Sequence, residues 1–149
     1  MLKKISLGLV MGLFLIVGFA NAADKKSHVL SMMDKAVEHY NSVGQDQAFK
    51  DYNQAGDYKN GEFYVIAQSL IDDKIIFHGV NAKLIGRNLT GIKDTDGKKF
   101  ISDMITTAKG EGKGWVSYKW PHPETKKIAQ KHTYINRIGD IMLMIGYYE

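Results

Sequence analysis

Glu62-Phe63-Tyr64-Val65-Ile66-Ala67, followed by Asp72-Asp73 and then Lys74-Ile75-Ile76-Phe77-His78-Gly79-Val80, is where the periodicity of the chain changes and where its fold is decided. The first run is rich in β-formers and apolar on both alternating faces, the pattern of a strand covered on two sides. Aspartate tolerates the positive φ of tight turns, so Asp72-Asp73 predicts an antiparallel hairpin into Lys74–Val80.

Upstream of this hairpin, Val29, Leu30, Met33, Ala36, Val37 and Tyr40 recur at helical spacing, with Asp34, Lys35 and Glu38 on the other side. This predicts an amphipathic helix stopped near Gly44. A shorter helix is expected from Asp46, with Phe49 and Tyr52 on one face, before a turn-rich stretch from Asn53 to Gly61. Downstream, Asn81 to Gly97 has little periodicity and is predicted to be a long loop. Phe100, Ile101, Met104, Ile105 and Ala108 then mark a second amphipathic helix ended by Gly110. Three strands follow: Trp115 to Trp120, roughly Gln130 to Ile138 after the turn at Pro121–Thr125, and Ile141 to Tyr148 after Gly139-Asp140. The expected fold class is α+β, with about five antiparallel strands covered by helices.

The N-terminus sets the compartment. Met1 to Lys4 form a short cationic start, and Ile5 to Ala20 an apolar run of 16 residues interrupted by Ser6, Gly8, Gly12 and Gly18. A membrane-spanning helix needs about 20 mostly apolar residues. With Ala20-Asn21-Ala22 as an A-x-A site, residues 1–22 are expected to be a signal peptide cleaved after Ala22, an uncleaved anchor being the alternative. Removing 22 of 149 residues leaves 127, enough for one domain, residues 23–149. Loss of Lys3 and Lys4 leaves 18 basic against 16 acidic residues, a net charge of +2 that is too mild to argue for nucleic acid. The chain has no cysteine, which excludes disulfides, thiolate metal sites, thiol nucleophiles and covalent c-type haem. No second apolar stretch of spanning length follows, so no integral membrane segment is expected after cleavage and the product should be periplasmic.

Three groups of residues carry a family likeness. They are Phe77–Leu89 with Asp94-Thr95-Asp96-Gly97-Lys98-Lys99-Phe100, then Gly112–Pro121, and finally Lys131-His132-Thr133-Tyr134-Ile135 with the closing Gly146-Tyr147-Tyr148. In order and spacing, over essentially all of Gly61 to Tyr148, the chain resembles the single Cache domains, PAS-like extracytoplasmic sensing modules of bacterial chemoreceptors and histidine kinases. The resemblance implies a long N-terminal helix flanking an antiparallel sheet. It also implies a ligand pocket between one sheet face and the segment from the His78 loop through the second helix. The ligands it implies are small organic metabolites, often short carboxylates or amines. Receptor versions sit between two membrane helices, whereas this chain ends at Glu149, directly after the last strand. The expectation is therefore a binding module that reports to a separate membrane receptor, kinase or transporter.

Tyr64, His78, Trp115, Tyr118, Trp120, Lys131 and Tyr134 are the candidate ligand-binding residues. Aromatic walls supply contact area at little entropic cost, while a few donors fix orientation. Lys131 can pair with a ligand carboxylate, and a neutral His78 can donate or accept near neutral pH. Strand alternation divides the set. Tyr118 and Trp120 share one face with Trp115 on the other, and Lys131 and Tyr134 fall on opposite faces. The Tyr118 face together with Lys131 is the favoured wall, a choice that rests partly on the family resemblance; each aromatic has ordinary core packing as its alternative role.

Other motifs do not hold up. Gly86–Gly91 has the P-loop's glycine spacing but continues Ile92-Lys93, without the adjacent lysine and hydroxyl. Gly110-Glu111-Gly112-Lys113-Gly114 lacks the dinucleotide spacing, and Asp94-Thr95-Asp96-Gly97 is too short for a calcium loop. The five histidines show no metal spacing, and no serine lies in a nucleophile-elbow context, so neither an enzyme nor a cofactor is expected. Two functions remain: a small-molecule sensing module, or a non-catalytic interaction subunit whose pocket is filled.

Overall fold

The computed structural model describes residues 21–149, so the expected signal peptide falls almost wholly outside the described residues. Helix α1 (Ala22–Val43) is capped by Asn21, whose side chain accepts from the Asp24 N–H. Gly44, at φ 79°, ends it and turns the chain directly into α2 (Gln45–Tyr52). The left-handed φ is what makes so short an elbow feasible. The Tyr52 hydroxyl donates back to the Ala36 carbonyl, and the His39 Nε2–Asp51 Oδ2 contact of 2.7 Å clasps the two helices together.

The strands are β1 (Lys59–Asn60), β2 (Phe63–Ser69), β3 (Ile75–His78), β4 (Lys113–Pro121), β5 (Ile128–Ile138) and β6 (Ile141–Tyr148). All pairings are antiparallel. The sheet runs β1-β2-β6-β5-β4, and β3 pairs with β2. The β2–β3 hairpin turns at Asp73, which has φ 57° as an aspartate turn requires. The five expected strands are present, and a sixth, the two-residue β1, lies in the stretch expected to be turn-rich. Lys-Asn has no strand signal, and pairing with Phe63 and Tyr64 alone makes it a strand. A short 3-10 turn, Ala82–Leu84, interrupts the expected long loop.

The last strand, β6, is buried at every position and sits near the middle of the sheet. Its alternate residues feed two cores. Leu143, Ile145 and Tyr147 join Val65, Ala67 and Phe77 beneath Val29, Met32, Met33 and Ala36 of α1. Met142 and Met144 join Ile75, Ile135, Val116 and Tyr118 beneath α3 (Phe100–Lys109). Each fully buried side chain of this size contributes roughly 1.5–3 kcal/mol. The loop before α3 is fastened to the sheet edge by Asp94: Oδ1 accepts from the Asp96 and Lys98 N–H groups at 2.9 Å each, and Oδ2 from the Lys119 N–H of β4 at 3.0 Å. That aspartate therefore covers backbone that would otherwise stand open on an edge strand.

Candidate ligand-binding site

Lys131 lies in the middle of the sheet on the α3 face, opposite Tyr118 of β4 and Tyr148 of β6. It is 2% exposed. Its Nζ donates to the Tyr64 hydroxyl at 2.8 Å and stands 4.6 Å and 5.0 Å from the ring centres of Tyr64 and Tyr148. None of the ion pairs among the described residues includes it. Burial is the largest influence on this ammonium and opposes its charge. The Tyr64 hydrogen bond, together with attraction to the oxygens of Tyr118, Tyr64 and Tyr148 where these ionise at high pH, outweighs burial and moves the lysine pKa above its usual range. Burial likewise pushes the Tyr118 and Tyr148 hydroxyls above the usual tyrosine range, so both are neutral at physiological pH. The result is a dry cation with phenol partners and no counter-anion.

His78 closes β3 and is 9% exposed. Its Nδ1 accepts from the Val80 and Asn81 N–H groups at 3.4 and 3.1 Å. An accepting Nδ1 places the proton of a neutral ring on Nε2, which has no partner among the described residues. Burial first, and then the positive Lys131, pull its pKa down to about 4, so the ring is neutral at physiological pH. It stacks on Tyr64 with ring centres 5.4 Å apart.

These groups surround a chamber of about 40 Å³, walled otherwise by apolar side chains such as Ile75, Met104 and Met144. On the measure by which one water takes about 10–15 Å³, this is room for a molecule of a few non-hydrogen atoms. Tyr64, His78, Leu84 and Trp120 separate it from an outer groove of about 510 Å³ that reaches Asn81, His122 and Lys126. The segment from the His78 loop through α3 supplies the roof, through Leu84, Leu89, Phe100 and Ile101.

Of the residues singled out from the sequence, Tyr64, His78, Tyr118, Trp120 and Lys131 come together around the chamber. Trp115 and Tyr134 do not. They are cross-strand partners on the opposite face, rings 5.1 Å apart, packed against the α1 core. The period of two along β4 and β5 puts them there. Sequence reasoning missed Thr133, which accepts or shares a hydrogen bond with the Tyr118 hydroxyl at 3.1 Å. Its spacing of two from Lys131 was the available signal. It also missed Tyr148 and Phe100; the latter lies flat on Tyr118 with ring centres 4.1 Å apart. Only register and helix docking bring these two to the site.

A second hydrogen-bonded row, Ser117 Oγ to His132 Nδ1 at 2.6 Å and His132 Nε2 to Glu149 Oε1 at 2.8 Å, lies on the other face. It has the order of a hydrolase triad, but Ser117 sits mid-strand instead of on a turn that presents paired N–H groups to an oxyanion.

The sequence model of the Cache domain family matches residues 26–149. The chain belongs to that family, whose members are extracytoplasmic sensory domains and not enzymes. It is 28% identical over 123 residues to the methyl-accepting chemotaxis protein McpP of Pseudomonas putida, covering 76% of this chain and 22% of that protein. It is 31% identical over 132 residues to the sensor histidine kinase MctS of Rhizobium johnstonii, covering 82% of this chain and 28% of that protein. The chain thus spans only about a quarter of the length of either relative. Among solved structures it is similar to a Cache chemosensory domain described for carboxylic acid recognition, with TM-score 0.70 and 25% identity over 85% of this chain and 92% of that one. A chemotaxis receptor of Vibrio parahaemolyticus shares the fold at TM-score 0.68 and 22% identity, over 85% of this chain and 86% of that one. No helix among the described residues is long and apolar enough to cross a membrane.

Proposed function

We propose that this domain captures a short-chain carboxylate outside the cytoplasm, in the periplasm after signal-peptide cleavage, and passes its occupancy to a membrane receptor, kinase or transporter. The observation that carries this reading is Lys131, a buried ammonium without a counter-anion. Burying an unpaired charge is costly, and a ligand carboxylate is the group that offsets it. The anion would sit between Lys131 Nζ, the Tyr64 hydroxyl and the free Nε2–H of His78, with its alkyl end against the apolar wall. The chamber offers no acidic side chain to receive an ammonium, so amino acids and amines fit it poorly. The solved Cache domain described for carboxylic acid recognition supports the same ligand class.

A thermal-shift titration of the purified domain with sodium acetate, propionate and pyruvate tests the proposal. A ligand at one hundred times its dissociation constant adds about 2.7 kcal/mol of stability. The second reading, an interaction subunit with a filled pocket, draws on the small size of the chamber, about 40 Å³. No response to any carboxylate, and no small molecule retained in native mass spectrometry, would favour that reading.

A further inference from the structure

We infer that Gly146 is a positioning residue for ligand recognition: its missing side chain opens the slot through which Lys131 crosses the sheet. The inference rests on the carboxylate reading above only for its binding consequences, not for its geometry. Gly146 lies inside β6, a strand buried along its whole length, and it is absent from the glycines of positive φ. Backbone conformation therefore gives no reason for glycine, and a strand interior normally disfavours it.

Space gives the reason. Gly146 pairs with Thr133 of β5, while Val65 of β2 pairs with the adjacent Ile145 on the other edge of β6. Gly146 thus stands between the Lys131 end of β5 and the Tyr64 end of β2. Lys131 begins on β5 and delivers its Nζ to a hydroxyl borne by β2, so its stem must pass over β6. Two strand spacings are about 9.5 Å, and a side chain standing perpendicular to the sheet would not make that crossing. A Cβ on residue 146 would lie 2.8 Å from Lys131 Cε, 2.6 Å from Thr133 Oγ1 and 2.9 Å from the His132 carbonyl oxygen. A side chain there would have to displace Thr133 Oγ1 and press on the His132 carbonyl, and it would occupy the path that the lysine stem takes over β6. The glycine therefore fixes two properties of the site together: where the cation sits, and that the space above it is free for a ligand.

The test is a double-mutant cycle joined to a spectroscopic signature. In the wild type, Lys131 Nζ stands 4.6 Å and 5.0 Å from the Tyr64 and Tyr148 ring centres, so the ¹³C–¹H resonance of the adjoining ε-methylene should be displaced by ring currents. Gly146→Ala should return that resonance toward the exposed-lysine position and weaken propionate binding by about tenfold or more. If Gly146→Ala is too unstable to study alone, Gly146→Ala/Lys131→Ala keeps the question open to measurement. The melting-temperature loss caused by alanine at 146 should be clearly smaller once the lysine stem is gone. An unmoved methylene resonance in a folded Gly146→Ala protein, or an equal penalty with and without the Lys131 side chain, overturns the inference. Should no carboxylate bind even the wild type, the resonance and the cycle still decide the role of Gly146, while the ligand reading fails separately.

Discussion

At the scale of single residues, the site is a set of polar groups whose burial is tolerable only with the right partners. Lys131→Met replaces the buried ammonium with an apolar chain of similar volume. The exchange removes a buried charge that no ion pair offsets. The unliganded melting temperature should therefore hold or rise while the carboxylate-induced shift disappears. A fall of several degrees without ligand would instead make the lysine structural. His78 leads to a pH prediction. Its folded pKa of about 4 lies below the ordinary 6.5, so the unfolded chain takes up the proton first as pH falls. The contribution of the neutral ring is complete above pH 6.5 and is lost as pH drops toward 4, amounting to about 3 kcal/mol by the linkage relation. Chemical denaturation at pH 7 and pH 4.5 should show the loss, and His78→Gln should remove most of it. These residues were readable in the sequence to the extent that strand alternation reaches. It set Trp115 apart from Tyr118 and Tyr134 apart from Lys131, while joining Lys131 to the Tyr118 face rested partly on the family resemblance. It said nothing of Tyr148 or Gly146, whose parts depend on which strand lies beside which.

At the scale of elements, the segment roofing the chamber is held to β4 by the Lys98 Nζ bond to the Ser117 carbonyl, by the Lys119–Asp96 ion pair and by the Asp94 carboxylate, which does two jobs. Asp94→Asn retains an oxygen for the Asp96 and Lys98 N–H groups, but its amide nitrogen cannot accept from the Lys119 N–H. The turn should survive while the bond from Asp94 to the β4 backbone is lost. Hydrogen exchange should then accelerate at the Lys119 amide and through residues 94–99, with β5 and β6 unchanged. Equal protection in the two proteins would show that the loop is held by other means. The helices and long strands were legible because their apolar periods are pronounced, and Gly44, Asp73, Gly110 and Gly139 punctuate them. The two-residue β1 and the 3-10 turn at Ala82–Leu84 were not, since neither has a period and each exists only through a neighbour.

At the scale of the whole molecule, the fold followed from the order of its elements, whereas the site needed five strands, β3, β2, β6, β5 and β4, to be laid side by side. Selectivity is a property of that assembly. One buried cation, two hydrogen-bond donors and apolar walls should distinguish acetate from acetamide, which has the same shape without the charge. Isothermal titration with the two should give measurable binding for the anion alone; comparable affinities would show that shape, not charge, governs entry.

The burial of β6 on both faces has a mechanical consequence. Met144 faces the chamber and Ile145, the next residue, faces α1, so a single layer of backbone is all that separates the ligand space from the N-terminal helix. Packed interiors compress very little. A guest that presses on the chamber floor therefore finds no cushion beneath it, and the partition must move as a board or not at all.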